Sequence, residues 1–200
     1  VDVLVNNAGY GAYGTVEETP LAEARRQFEV NMFGLARLTQ LVLPTMRERG
    51  FGRIINVSSM GGKIYTPLGA WYHATKHAVE GFSDALRLET RDCGIDVTVI
   101  EPGAIKSEWD TIAADSADRI SGGGPYAEFT ARVTAMMRKT YTSGNPSPPI
   151  VVARDIVRAA TARRPKTRYA PGKNAKTLLF LRRFIPDRWF DALVRTAYGL

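Results

Sequence analysis

Tyr72 and Lys76 stand four residues apart in Trp71-Tyr72-His73-Ala74-Thr75-Lys76-His77-Ala78-Val79-Glu80. On a helix that spacing stacks the phenol and the ammonium one turn apart on a single face. A free tyrosine titrates near pH ~10 and is a poor base at neutrality, whereas a cation held a few ångströms away favours the phenolate. The pair is therefore read as an acid/base unit, with Lys76 lowering the Tyr72 pKa. A surface tyrosine beside a solvated lysine has the same spacing, so the weight comes from four ordered companions. These are Val3-Leu4-Val5-Asn6-Asn7-Ala8-Gly9, Glu29-Val30-Asn31-Met32-Phe33-Gly34, Ile55-Asn56-Val57-Ser58-Ser59 and Glu101-Pro102-Gly103-Ala104-Ile105.

Elements that could position these residues are legible around them. Val1–Val5 is a short apolar run fit for a buried parallel strand. Thr19-Pro20 reads as an N-cap and first helical residue, opening a long helix towards Arg49 that Gly50 stops and Pro44 kinks or breaks. Phe28, Asn31, Leu35, Leu38 and Val42 recur at spacings of three and four, which puts Asn31 on the apolar stripe, where a buried amide needs a partner such as a neighbouring carbonyl. Residues 53–57 form the next strand and deliver Ser58 and Ser59. The Tyr72 helix runs to about Cys93-Gly94, and residues 96–101 form a third strand. Alternating strands and helices predict an α/β fold, a doubly wound parallel sheet with flanking helices, with ligands gathering beyond the strand C-termini. Asn7, Ser59 and Pro102-Gly103 lie at such ends.

The rest of the chain carries pattern without motif. Trp109, Tyr126, Phe129, Met136, Met137 and Tyr141, interleaved with Gly122-Gly123-Gly124 and Pro146, Pro148 and Pro149, read either as a mobile lid over an apolar substrate or as helices packed on the sheet. Residues 154–163 are expected as a helix, 167–170 as a final strand, and 175–184 and 187–197 as amphipathic helices. Trp189, Phe190, Leu193 and Tyr198 are read first as packing on the parent domain, with capping a substrate mouth, resting on a membrane surface or meeting a partner subunit as the alternatives.

With 44% hydrophobic and 24% charged residues the 200-residue chain is globular. One cysteine and two histidines allow neither an internal disulfide nor a His/Cys metal site, so no metal is expected and His73 and His77 are read as structural. No run of ~20 apolar residues is present, and the expected location is cytoplasmic. The net charge of +7 is uneven: residues 151–200 hold 12 Lys/Arg to 3 Asp/Glu, leaving residues 1–150 slightly acidic. The tail's charges are scattered among Leu, Phe and Ala. They suggest a solvated face, no nucleic-acid binding and at most weak membrane-surface contact.

Taken with its order of motifs, the chain resembles the short-chain dehydrogenase/reductase family, from its first residue to about Ser107 and more loosely beyond. The resemblance implies a Rossmann-like fold and a tetrad of Asn31, Ser59, Tyr72 and Lys76, with Ser59 preferred to Ser58 for its distance from Tyr72. It implies NAD or NADP held by Asn7, Ala8, Gly9, Asn31, Tyr72, Lys76, Pro102, Gly103, Ile105 and Ser107, and hydride exchange with an alcohol or carbonyl. Ser107 stands where the family usually has threonine. In the family the asparagine holds water near the lysine and serves a proton relay. The stretch from Ser59 to Pro67, with Arg168-Tyr169 and the C-terminal helices, is most similar to members acting on steroid- or retinoid-like alcohols and ketones. A homo-oligomer, dimer or tetramer, is implied. The family's Gly-rich opening turn does not occur. The expectation is a single partial domain, with a catalytic core of 1–103, a substrate lid region of 104–150 and a C-terminal strand and helices over 151–200. Such a piece would be inactive alone; a non-catalytic scaffold of the same fold is the alternative.

Overall fold

A computed structural model describes residues 1–200, apart from the side chain of Tyr141. Four parallel strands run in the order β1 (Val3–Asn6), β2 (Gly52–Val57), β3 (Ile95–Ile100) and β4 (Arg168–Tyr169). Between β1 and β2 lie α1 (Leu21–Phe28), a π-helical turn (Glu29–Phe33) and α2 (Gly34–Arg49). Helix α3 (Ala70–Glu89) leads to β3; α4 (Trp109–Ser121), α5 (Ala127–Ser143) and α6 (Ile150–Thr161) lead to β4; α7 (Ala175–Arg182) and α8 (Asp187–Ala197) follow. The expected doubly wound α/β architecture is the one found, with strand ends shifted by a residue or two.

Both sheet faces are covered, and the side chains of β2 and β3 divide between them as the strand period of two requires. Ile54 and Val97 pack with Met46 and Leu86 under α2 and α3. Ile55 and Ile100 pack with Ala159, Val152 and Ile156 of α6. Strand β1 stands at an edge, with Val3 and Val5 partly exposed. A buried polar ladder crosses the sheet: Asn6 Nδ2 donates to Asn56 Oδ1 at 2.9 Å, and Asn56 Nδ2 donates to Ser83 Oγ at 2.9 Å.

Three local readings need correction. Pro44 lies inside an unbroken α2, which ends at Arg49 with Gly50 as a left-handed cap at φ 65°. The irregularity falls instead at the π turn around Asn31, where the Gly34 N–H reaches Glu29 O, five residues back. Thr19 is not the N-cap: Pro20 takes that position, and Thr19 Oγ1 donates to Thr15 O at 2.6 Å.

Within residues 104–149, α4 and α5 form a helical hairpin packed on the rest of the fold. Ala113, Ala114 and Ala117 of α4 and Val133 and Met137 of α5 are buried in one cluster with Tyr13, Leu68 and Tyr72. Arg138 joins Asp115 at 2.6 Å and Asp118 at 2.9 Å across the pair. The Tyr141 side chain, part of the lid reading, lies outside what is described.

Candidate active site

The strand C-termini open onto a cleft of about 810 Å³. Strand β1 delivers Asn7 and Gly9 to its wall, β2 delivers Ser58 and Ser59, β3 delivers Pro102, Gly103, Ile105 and Ser107, and α3 contributes Tyr72, His73 and Lys76. The loops are tied to one another: Ser58 N–H donates to Ile100 O at 2.8 Å and Met60 N–H to Pro102 O at 2.9 Å. Of the residues expected at the site, Ala8 and Asn31 alone are not on the cleft wall.

Tyr72 is 7% exposed. Burial pushes its phenol up to about 12, against a hydrogen bond from Ser59 that favours the phenolate. Ser59 Oγ accepts the Gly61 N–H at 3.0 Å, which leaves its own proton for the phenol oxygen. Lys76 is also buried. Desolvation lowers its ammonium to about 8, while Glu80 works to keep it charged. Lys76 Nζ donates to Val57 O at 3.0 Å and lies 5.9 Å from the centre of the Tyr72 ring. The expected lowering of the Tyr72 pKa by Lys76 is not seen: burial is the largest influence, the Ser59 hydrogen bond opposes it, and Lys76 is not among the groups that move it.

The Asn31 amide is satisfied by neighbouring protein groups. Its Oδ1 accepts the Tyr10 N–H at 3.0 Å, and its Nδ2 donates to Tyr10 O at 2.9 Å and to Thr75 Oγ1 at 3.1 Å. It pins the loop after β1 to α3, which is the plain reading of a buried amide satisfied by a neighbouring carbonyl. The π turn is what aims it there. His73 is structural, as expected. The Thr66 N–H donates to Nε2 at 3.0 Å, so Nε2 is the bare nitrogen, and Nδ1–H donates to Gly61 O at 2.9 Å. Burial holds the ring down to about 4, so it is neutral.

Sequence reasoning missed Tyr13. It is buried, and its ring centre lies 5.8 Å from that of Tyr72 and 5.7 Å from that of Trp109, which itself stands 5.0 Å from Tyr72. With Ile64, Met137 and Tyr198 these rings make the cleft wall beside Tyr72 aromatic and apolar. The only signal in the chain was the run Tyr10-Gly11-Ala12-Tyr13-Gly14 directly after the Asn-Asn-Ala-Gly loop.

A nicotinamide dinucleotide fits the polar half of the cleft. Ser58 Oγ is buried there without a partner, and Lys76 has donated only one of its three hydrogens. Gly9 leaves the floor open: a Cβ there would come within 3.1 Å of Asn31 Oδ1 and 3.6 Å of Lys76 Nζ. Among the described residues no group of acidic, histidine and cysteine side chains is arranged to hold a metal ion.

Residues 1–117 match the family profile described as short chain dehydrogenase. A probable short-chain type dehydrogenase/reductase of Helicobacter pylori, VdlC, is 37% identical over 197 residues, covering 97% of this chain and 70% of that protein. An NADPH-dependent 3-dehydrocapnine reductase of Ornithobacterium rhinotracheale is 36% identical over 206 residues, covering 96% of this chain and 69% of its own length. Among solved structures, a short-chain dehydrogenase from Streptomyces avermitilis superposes with a TM-score of 0.74 at 35% identity, covering 92% of this chain and 64% of that one. The closed form of a serine dehydrogenase complexed with NADP+ gives 0.70 at 28% identity, covering 86% of this chain. The chain spans just under two thirds of the length of these solved structures.

Proposed function

Because the chain belongs to the short-chain dehydrogenase/reductase family, we propose that it exchanges hydride between NAD(H) or NADP(H) and a lipophilic alcohol or ketone, with Tyr72 as the acid/base. The observation that carries this reading is one buried phenol on the wall of the cleft, bonded to Ser59 and neighboured by Lys76 and by aromatic rings.

A phenol held near 12 carries its proton at neutral pH and can give it to a developing alkoxide in the reductive direction. The substrate carbonyl oxygen would lie against Tyr72 Oη and Ser59 Oγ. As charge develops on that oxygen, Tyr72 donates its proton and Ser59 steadies it with a hydrogen bond. The nicotinamide supplies the hydride when bound. Lys76, fixed on Val57 O, has hydrogens left for ribose hydroxyls, with Asn7, Gly9, Pro102, Gly103, Ile105 and Ser107 lining the rest of the dinucleotide path. Asn31 acts as a positioning residue through the Tyr10 backbone. NADP in a related solved structure and NADPH in the name of a relative support a nicotinamide cofactor. Tyr13, Trp109, Ile64 and Met137 support an apolar substrate: they line the cleft beside Tyr72 largely with rings and aliphatic groups. The test is a panel of reducible carbonyls followed by reduced-nicotinamide absorbance. Hydrophobic cyclic or long-chain ketones should be turned over with much higher kcat/KM than hydroxylated ones of equal size, and the reverse order would overturn the substrate class.

A further inference from the structure

A second concavity, of about 410 Å³, opens where α6, the turn after β4 and the first turn of α7 meet. Arg154, Arg158 and Lys176 line it, with Thr177 and one carboxylate, Asp155. Asp155 is engaged by Arg158 at 3.0 Å, and among the described residues Arg154 and Lys176 make no ion pair. From this concavity an apolar stripe runs along α7. Lys176, Phe180 and Phe184 follow one another at intervals of four, and Thr177 and Leu181 do the same beside them, so cations and aromatics share one side of the helix.

Phe180 and Phe184 are 62% and 70% exposed and touch each other, ring centres 5.2 Å apart. After Pro186, α8 adds Trp189 at 74% and Leu193 at 49%, again four apart. Arg183, Arg188 and Arg195 lie among them, exposed and without an ion pair among the described residues. The region is apolar and cationic together, so its occupant must be both greasy and anionic. A second copy of the chain would bring the same excess of positive charge against itself. Single-stranded nucleic acid would stack on the rings and leave Leu181 and Leu193 unmatched.

We propose that α7 and α8 dock on an anionic phospholipid surface, with lipid phosphates drawn to the Arg154–Arg158–Lys176 concavity and Phe180, Phe184 and Trp189 entering the boundary between headgroups and acyl chains. Among the described residues no helix is long and apolar enough to cross a bilayer, so the contact is peripheral. Basic side chains near an anionic surface and interfacial aromatics are the two attractions such binding combines. Helix α8 also borders the candidate active site: Tyr198, directly after it, lines the main cleft, and Asp191 accepts the Tyr65 hydroxyl at 2.8 Å. Delivery of a membrane-dissolved ketone to that cleft rests on the proposed substrate class. The docking itself does not.

The test is co-sedimentation of the full chain with vesicles of phosphatidylcholine alone and of an equal mixture with phosphatidylglycerol. Binding to the mixed vesicles should be at least ~10-fold tighter and should fall steeply with added salt. Phe180→Ser with Phe184→Ser, and separately Arg154→Glu with Lys176→Glu, should each weaken it by roughly 10-fold or more with an unchanged circular dichroism spectrum. Since these side chains are exposed, neither pair should disturb folding. Equal binding to the two vesicle types would overturn the proposal, as would full binding by the double phenylalanine variant. So would light scattering in which that variant turns an oligomer that ignores vesicles into a monomer, which would make a second copy the occupant. Failure of the ketone panel leaves this result untouched, and failure here leaves turnover of soluble ketones untouched.

Discussion

The two halves of α3 handle buried charge in opposite ways. In the first, Tyr72, His73 and Lys76 are desolvated and meet neutral partners: the Ser59 hydroxyl, the Gly61 carbonyl and Thr66 N–H, and the Val57 carbonyl. Burial moves each away from its charged form, to about 12, 4 and 8 respectively. In the second half, Glu80 and Asp84 meet a cation. Arg168 of β4 donates to Glu80 at 3.0 Å, to Asp84 at 2.8 Å and to Glu101 at 3.2 Å, and Lys63 stands 3.4 Å from Glu80. Burial works against the Arg168 charge, yet its bonds to Asp84 and Glu80 hold its pKa above the usual arginine value. One half of the helix keeps groups poised between protonation states, and the other locks charges in place to join β3, β4 and the loop after Ser59.

If that contrast is right, substitutions in the two halves should separate function from stability. Tyr72→Phe removes one oxygen and should cost at least ~10²-fold in turnover, within the range for a lost general acid/base. Its folding should be unaffected, because burial of the phenol opposes ionisation alone. Steady-state rates with thermal melts read both, and near-normal turnover would sink the mechanism.

Arg168→Met should do the reverse. It leaves Glu80 and Glu101 beside each other without Arg168, with only the partly exposed Lys63 remaining near Glu80. Breaking a fully buried pair costs ~3–5 kcal/mol, and because Arg168 is 28% exposed we expect about 2–3 kcal/mol, measurable by urea denaturation. Turnover per folded molecule should stay within a few-fold. Lys76→Met sharpens the contrast: it replaces a desolvated ammonium by an apolar chain of similar length, so the melting midpoint should hold or rise while the KM for the nicotinamide cofactor rises about 10-fold or more. A melting midpoint that falls would mean Lys76 is structural after all.

The same contrast explains what could be read from the sequence. Tyr72, Lys76, Ser59, Asn7 and Pro102-Gly103 were legible because a parallel strand ends in a loop and α3 has a fixed period, so spacing alone puts these groups at one rim. Asn31 was legible as a buried polar residue, but its partners were not, because they depend on a π turn that no residue pattern announces. Arg168 stands 67 residues from Glu101 and 88 from Glu80, and nothing in the chain links them before β4 pairs with β3. Tyr13 and the α4–α5 hairpin failed for a related reason. Aromatic and methionine residues between glycines are equally compatible with a flap and with a packed wall, and only the small face of Ala113, Ala114 and Ala117 decides for the wall.

The finest test of the comparison is the pH dependence of stability, because His73 and Glu101 pull it in opposite directions. In the fold the His73 ring stays neutral down to about pH 4, whereas an unfolded histidine takes its proton near 6.5. Between those values the unfolded chain binds more protons, so this contribution is complete above 6.5 and is lost as pH falls towards 4. Burial first, and the Glu80 carboxylate second, push Glu101 up to about 7 from an ordinary value of 4.5. Between those values the folded chain binds more protons, so this contribution is present at low pH and is lost as pH rises towards 7. Asp84, held below the usual carboxylate range against its partial burial by its bonds to Arg168 and Arg87, acts only at more acid pH. From roughly pH 4.5 to 6.5 the two slopes, each up to about 1.4 kcal/mol per pH unit, should nearly cancel and leave the wild-type curve flat. Glu101→Gln removes one of them. Its stability by urea titration should therefore drop on acidification through that window, while His73→Gln should drop on alkalinisation. A Glu101→Gln curve as flat as the wild type would show that the carboxylate ionises freely in the fold and that burial and Glu80 do not hold its proton.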